Sequence, residues 1–522
     1  MNEAQQEGSG KGTRALSLTA RAGWFMAART LAFAFSFGLP LLLVRRLDQH
    51  QVGLYKQVFL LVMTAINVLP LGVEMSAFYF LPRMRERRQR SRIVCNILLF
   101  YLATTGIAGL VLCAFPSLLS GLFNNPELIE IAPLVAILIP LWGAPFVLET
   151  VAIAHQETRL ASTFIVVAEL SKTIVLVSAC LISPSVKTLL VAAIIHGGLQ
   201  AVILMIYVGR RYGRLWRSFD WSVMREQLSY ALPFGFAAIL FRLQSDLHNY
   251  FVSHNFSPEA YAIYSIGCFN LPLISILGYS VGAVMIPRVN DLEERGERRE
   301  IVKLVARMMR KMAAIYFPIY LFLLVAGREF ITVLFTEQYR ASWPIFALNL
   351  TLIPLGIITT ANDAVMRAHA EHRFFLVKLR LVLIPLLLAV LWFATSRFGL
   401  VGAIAAVVAA SIAEASATGF KASRILGVVR GDVMLLKDVG KLAASALAAG
   451  IVGAVARSLM AGTRPLVVLA SCGIVFSLVY LATAWLTGVI SSDERDFLRR
   501  SLSAGQRAVR WNREARVLIE EA

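Results

Sequence analysis

Apolar residues in this chain come in runs of about 20, separated by short polar gaps rich in arginine. As helix, each run is long enough to cross a hydrocarbon layer of roughly 30 Å. Fourteen such spans are predicted, over 22–44, 58–81, 93–114, 131–154, 160–182, 188–208, 228–252, 260–286, 309–327, 343–365, 376–395, 400–422, 440–460 and 466–490. The expected fold class is all-α and polytopic, with no extramembrane loop large enough for a soluble catalytic domain.

The polar gaps carry a second pattern. His155, Glu157 and Arg159 form an H-x-E-x-R group between spans 4 and 5, and His369, Glu371 and Arg373 repeat it between spans 10 and 11. Other short strings recur in the same order. Leu69-Pro70-Leu71 matches Leu271-Pro272-Leu273, Leu81-Pro82-Arg83 matches Ile286-Pro287-Arg288, Leu122-Phe123 matches Leu334-Phe335, and Ile139-Pro140 matches Ile353-Pro354. Collinear matches at nearly constant offset indicate a diverged duplication of six spans. Six is even, so both copies enter the membrane from the same side, giving a parallel pseudo-twofold repeat with two extra C-terminal helices. The expected division is a tail (1–21), an N-lobe (22–208), a basic linker (209–227), a C-lobe (228–425), a terminal helix pair (440–490) and a tail (491–522). The repeated Leu-Pro-Leu predicts matching bent helices in spans 2 and 8, because proline removes one backbone hydrogen bond.

With 58% hydrophobic and 16% charged residues and a mean hydropathy of +0.69, the composition excludes an ordinary soluble protein. A net charge of +19 would suggest a nucleic-acid partner in a soluble chain, but here it tracks the loops. Segment 83–92 holds six arginines, segment 209–226 five, and segment 287–311 eight basic residues. All fall on one side if the N-terminus is inside, so both termini are expected in the cytoplasm. The five cysteines lie within or at the edges of spans and show no metal-ligand spacing. No cofactor is expected, the first span is expected to act as its own insertion signal, and no motif for ATP use is found.

An ionisable side chain in a span costs about 2.5–3.5 kcal/mol on insertion scales and needs a partner or a wet cavity. Arg29, Glu74, Glu149, Glu169, Lys172, His196, Arg242, Asp246, Asp363 and Glu414 qualify. Glu169 with Lys172, and Arg242 with Asp246, have the spacing of neighbours on one helix face. The string Phe241-Arg242-Leu243-Gln244-Ser245-Asp246-Leu247-His248-Asn249 is dense enough in polar residues to be expected to line a cavity. Arg29 has no acid within its own turn, and a guanidinium facing a cavity would attract an anion, phosphate best of all. The H-x-E-x-R groups are expected to be turn residues rather than a site.

The chain also resembles a known family. Leu47-Asp48-Gln49-His50-Gln51-Val52-Gly53-Leu54-Tyr55, Leu71-Gly72-Val73-Glu74 with Tyr79-Phe80-Leu81-Pro82-Arg83, Tyr230-Ala231-Leu232-Pro233 with Asp246, and Phe398-Gly399-Leu400-Val401-Gly402-Ala403 are similar to strings of the bacterial polysaccharide transporter family. That family lies within the multidrug, oligosaccharidyl-lipid and polysaccharide exporters. The resemblance implies two six-helix lobes around a cavity open alternately to either side. It implies a non-enzymatic flippase of the bacterial inner membrane that moves undecaprenyl-diphosphate-linked oligosaccharide for O-antigen, capsule or exopolysaccharide assembly. A polysaccharide polymerase and export machinery would be partners, and nucleic acid would not. Arg29 and Arg242 would hold the anionic headgroup; Gln244, His248, Asn249, Asn67 and Asn270 would meet sugars; and Glu74, Asp246 and Glu414 would couple transport to H+ or Na+. Spans 13 and 14 would offer a surface to the polyprenyl tail. The alternatives are an ion-coupled drug exporter, a peptidoglycan-precursor flippase and a membrane-embedded polymerase or ligase.

Overall fold

The computed structural model describes residues 18–213, 215–369 and 373–489. Residues 1–17 of the expected N-terminal tail and the 491–522 tail lie outside the described residues, and residues 18–21 belong to the first helix. The helices in chain order begin with α1 (Leu18–Arg46), α2 (Gln49–Val68), α3 (Met75–Phe80), α4 (Arg87–Ala114), α5 (Ser117–Phe123) and α6 (Leu128–Ala154). They continue with α7 (Thr158–Ile182), α8 (Val186–Tyr212), α9 (Trp221–Asn255), α10 (Pro258–Gly267), α11 (Pro272–Glu294) and α12 (Arg298–Phe335). The last are α13 (Trp343–Asn349), α14 (Leu352–Ala368), α15 (Arg373–Leu426), α16 (Lys437–Leu459) and α17 (Pro465–Leu486). Among the described residues there is no strand, and 11 helical stretches are long and apolar enough to cross a membrane. A count of fourteen also requires α1, α9 and two crossings within α15.

The geometry of α15 supports two helices joined across Gly399, whose φ of 56° and ψ of −138° interrupt the helix. A Cβ added to Gly402 would lie 2.1 Å from the Ala394 carbonyl oxygen. In one straight helix those residues would be about 12 Å apart along the axis, so the chain turns back on itself here.

The bends expected at the two Leu-Pro-Leu strings are both present but are built differently. After α2 the chain leaves the helix through Leu71 (φ 52°) and Gly72 (φ 72°) before α3 begins. In the second copy α10 ends at Gly267, and Pro272 opens α11 at its first position, where its missing N–H costs nothing.

Contacts group the elements into two compact units: the described residues up to Ser265 with Phe375–Ala403, and Ile266–Phe374 with those from Ile404 onward. In the first unit α9 runs antiparallel along α2. Gln57 Nε2 donates to the Ser253 carbonyl at 3.4 Å, Tyr250 Oη to the Leu60 carbonyl at 3.5 Å, and Thr64 Oγ1 to Asp246 Oδ2 at 3.2 Å. Farther along, the bend reaches α9 backbone to backbone, where a Cβ on Gly235 would sit 2.0 Å from the Leu71 carbonyl oxygen and one on Gly72 2.7 Å from the Gly235 Cα. Only paired glycines permit that approach.

The end of α9 that begins at Trp221 is fixed by polar groups. Asp220 caps the helix through the N–H groups of Ser222 and Val223 and pairs with Arg92 at 3.0 Å. Asn96 donates to Gln227 Oε1 at 3.1 Å, and Gln227 donates to Ser76 Oγ at 3.0 Å, all three residues being buried. At the opposite end His50 lies between Glu127 at 2.8 Å and Glu259 at 2.6 Å. Ionised carboxylates only accept hydrogen bonds, so both ring nitrogens donate and the ring is an imidazolium in that arrangement.

In the second unit α12 is the central helix. Tyr480 Oη on α17 donates to the Ala314 carbonyl at 2.9 Å, Arg457 on α16 pairs with Glu329 at 2.9 Å, and Asn362 on α14 donates to Thr418 Oγ1 at 3.0 Å.

Candidate functional site

Thirty-five residues make α9 long, and its periodicity sorts the polar string that the sequence presents as one stripe. At about 100° per residue, Arg242, Asp246 and Asn249 share one face, while Gln244 and His248 fall roughly opposite. The structure uses that division. Asp246 turns toward α2 and accepts from Thr64, and Arg242 Nε lies 2.6 Å from the same Asp246 oxygen. The Asp246 side chain is 11% exposed and that of Arg242 37%. The carboxylate is therefore enclosed between the helices while part of the guanidinium stays open to a ligand.

On the other face His248 is buried, with Nδ1 2.8 Å from Tyr264 Oη and the rings edge to face. Its imidazole is taken up in the packing of α9 on α10 instead of standing open to a sugar. Asn249 is half-buried, its Nδ2 3.4 Å from His248 Nε2, and Gln244 is half-buried as well. Asn67 is exposed and donates to the Met63 carbonyl at 2.7 Å, and Asn270 is exposed in the break between α10 and α11.

The carboxylates expected to couple transport have three different environments. Asp246 is paired as above. Glu74 sits at the end of the Leu71–Gly72 bend, and its Oε2 is buried without a hydrogen-bond partner. Glu414 is half-buried in the second half of α15, where its carbonyl accepts from Thr418 Oγ1 at 2.8 Å. The side chain of Arg29 lies outside the described residues; its backbone is part of α1.

Several other intramembrane ionisable groups meet close neighbours. Lys172 pairs with Glu169, which also accepts from Ser36 on α1, and Asp363 pairs with Arg367 at 2.9 Å. His196 is buried beside Trp142 with Nε2 3.1 Å from the Ala168 carbonyl.

Two basic residues that sequence reasoning passed over stand near this site. The guanidinium of Arg380, on the first half of α15, lies 4.8 Å from the centre of the Phe241 ring, a cation–π distance that puts a second guanidinium beside the Arg242 turn. Lys56 lies on α2, eight residues from Thr64, about 12 Å along the axis. It is half-buried and forms no ion pair among the described residues. Both were detectable in the sequence: Lys56 lies just before the predicted span 2, because α2 begins earlier than hydropathy places it, and Arg380 lies inside the predicted span 11, near its start.

The first H-x-E-x-R group ties a turn to the end of α8. His155 Nε2 lies 2.6 Å from Tyr212 Oη, Glu157 pairs with Arg211 at 2.5 Å, and Arg159 is exposed. Burial pushes the His155 imidazole below its usual pKa, and the Arg211 and Arg90 guanidinium groups add to the effect. In the second group His369 is buried 3.2 Å from Glu293; Glu371 and the Arg373 side chain lie outside the described residues.

Residues 73–344, just over half of the chain, match the profile of a family described as polysaccharide biosynthesis protein. The fold is similar to that of the lipid II flippase MurJ in its inward closed conformation, with a TM-score of 0.69 and 13% identity over 91% of this chain and 99% of that one. It is also similar to an inward-facing multidrug resistance MATE family transporter of the MOP superfamily (TM-score 0.61, 11% identity, 78% of this chain and 98% of that one). A third similar structure is the MATE transporter VcmN of Vibrio cholerae in its bent form (0.51, 16%, 80% and 100%). No curated protein matches the sequence.

Proposed function

This chain belongs to the polysaccharide biosynthesis protein family, and on that footing we propose that it is a flippase for polyprenyl-diphosphate-linked oligosaccharide in the bacterial inner membrane, with both termini cytoplasmic. The observation that carries this reading is the Arg242–Asp246–Thr64 group. A guanidinium more than one-third exposed, on a helix packed along its neighbour, is suited to a phosphate. Its present partner is a carboxylate that a phosphate can replace.

Chemistry follows from that exchange. When a diphosphate takes Arg242, Asp246 loses its counter-charge, and a carboxylate enclosed between two helices then needs a proton or a small cation. When Asp246 gives up that cation it competes again for Arg242 and displaces the diphosphate. Binding of the diphosphate at Arg242 and of the coupling ion at Asp246 are thus linked at one site. Lys56, Arg380 and Arg29 extend the cationic path, and Asn67, Asn249 and Gln244 supply polar contacts for sugar hydroxyls. Glu74 and Glu414 are the other carboxylates assigned to ion coupling. A surface-polysaccharide polymerase would take up the product.

Arg242→Ala should abolish surface polysaccharide and make lipid-linked oligosaccharide accumulate on the cytoplasmic face. Wild-type surface polysaccharide in this variant would remove the anion site. The amide variants Glu74→Gln, Asp246→Asn and Glu414→Gln test coupling; normal ion-dependent transport in all three would eliminate it. The buried, unsatisfied Glu74 Oε2 favours a second reading, a cation-coupled exporter of small molecules. Transport of cationic dyes with no effect on lipid-linked oligosaccharide would decide for it.

A further inference from the structure

The second unit contains a cavity of about 760 Å³, within the range of roughly 300–1,000 Å³ typical of ligand sites. None of the residues assigned to the anionic headgroup, the sugars or the coupling ion line it. One wall is α12, where Leu321, Leu324, Arg328 and Thr332 recur at three- and four-residue spacing and so share a face. The other is α16, where Leu447, Ile451, Ala454 and Arg457 do the same.

The two walls are in parallel register. A Cβ on Gly450 would lie 3.8 Å from the Leu321 Cβ, and seven residues farther along α16 Arg457 Nη2 meets Glu329 at 2.9 Å. Both strips therefore change from apolar to cationic at the same level, making a trough about two turns long with an apolar floor and a charged mouth. At the mouth Arg340 pairs with Glu337 at 2.8 Å. Arg328 is exposed and makes no ion pair among the described residues. Three arginines and two glutamates line the cavity, and 3 − 2 leaves one positive charge, carried by Arg328. The charge pattern places this mouth on the outer side, where basic residues are otherwise sparse.

We propose that this trough is the seat of one resident monoanionic phospholipid of the phosphatidylglycerol class. Its phosphate sits on Arg328 and Arg457, and one acyl chain lies along Leu321, Leu324, Leu447 and Ile451. A phosphodiester carries the single negative charge that the mouth lacks; a diphosphate would bring more than the arginines can balance. The apolar floor gives a chain continuous contact, which a soluble anion could not use.

The test is native mass spectrometry of the full-length protein, released from micelles containing phosphatidylglycerol, phosphatidylcholine or undecaprenyl diphosphate. One equivalent of phosphatidylglycerol should be retained at least tenfold more strongly than phosphatidylcholine. Arg328→Gln, which breaks no ion pair, should lower retention at least fivefold, and Ile451→Trp, which fills the apolar floor, should do the same. Arg242→Ala should leave retention unchanged, which separates this site from the proposed transport site. Equal retention of the two phospholipids, full retention in Arg328→Gln, or one-for-one displacement by undecaprenyl diphosphate would each overturn the assignment. The last outcome would give the trough to a polyprenyl substrate instead.

Discussion

The hydroxyl of Thr64 on α2 donates to Asp246 on α9 at 3.2 Å, and the same carboxylate oxygen holds Arg242 at 2.6 Å. One side chain on α2 thereby helps determine how firmly the arginine is held. Thr64→Val keeps the shape and removes the donor. A hydrogen bond to a charged group contributes about 1.5–3 kcal/mol, so its loss should change Arg242's affinity for a phosphate by about tenfold or more. Tighter binding of lipid diphosphate with slower release in proteoliposomes is the expected result. Unchanged binding would mean that Thr64 has no influence on the site.

The backbone contact between Gly235 and the Leu71–Gly72 bend leaves no room for a methyl group. Gly235→Ala should destabilise the fold by about 1–3 kcal/mol through overpacking and separate α9 from the bend. A thermal midpoint in detergent equal to that of wild type would contradict the close approach. Alanine at Gly282, where nothing lies within 4 Å, is the matched control.

Gln227 closes a buried polar chain between Asn96 and Ser76. Gln227→Leu has similar bulk but leaves both neighbours short of a partner, at about 1–3 kcal/mol for each unsatisfied group. Protease resistance of the α4–α9 region should fall. The double variant Gln227→Leu/Ser76→Ala should recover part of the loss, because it removes the Ser76 hydroxyl along with its partner while Asn96 keeps its bonds to the Asp220 backbone.

His155 provides a pH dependence with a definite sign. Its folded pKa lies below the ordinary 6.5 because of burial and nearby guanidinium groups, so the unfolded chain binds the proton more readily. Stability contributed by the neutral ring is complete above pH 6.5 and is lost as the pH falls toward the lowered value. Unfolding midpoints between pH 7.5 and 5 should decline for the wild type and decline less for His155→Gln. Parallel profiles would show that His155 is not the titrating group. Transport at pH 7.5 should change little, since His155 holds a turn and α8 together.

Hydropathy and loop charge made the helical membrane fold legible, and the ordered recurrence of short strings indicated its repeat. Those signals are local: about 20 apolar residues suffice for a crossing whatever surrounds them. The Leu-Pro-Leu strings likewise marked both bends, because proline breaks a helix by its own geometry. The i,i+4 pairing of Arg242 with Asp246 was also fixed by helical periodicity alone. What the sequence could not supply was the neighbour of each helix face. Thr64 and Asp246 are 182 residues apart, and no local spacing relates them; they meet because α9 packs antiparallel on α2. For the same reason the polar string on α9 appears continuous in sequence but divides in space, sending Asp246 to α2 and His248 to Tyr264. The sequence by itself determined that charges would lie within the membrane, since that depends on residue type and the length of the runs. Only tertiary structure decided which are enclosed and which remain open to a ligand, because desolvation and pairing are properties of packed surfaces.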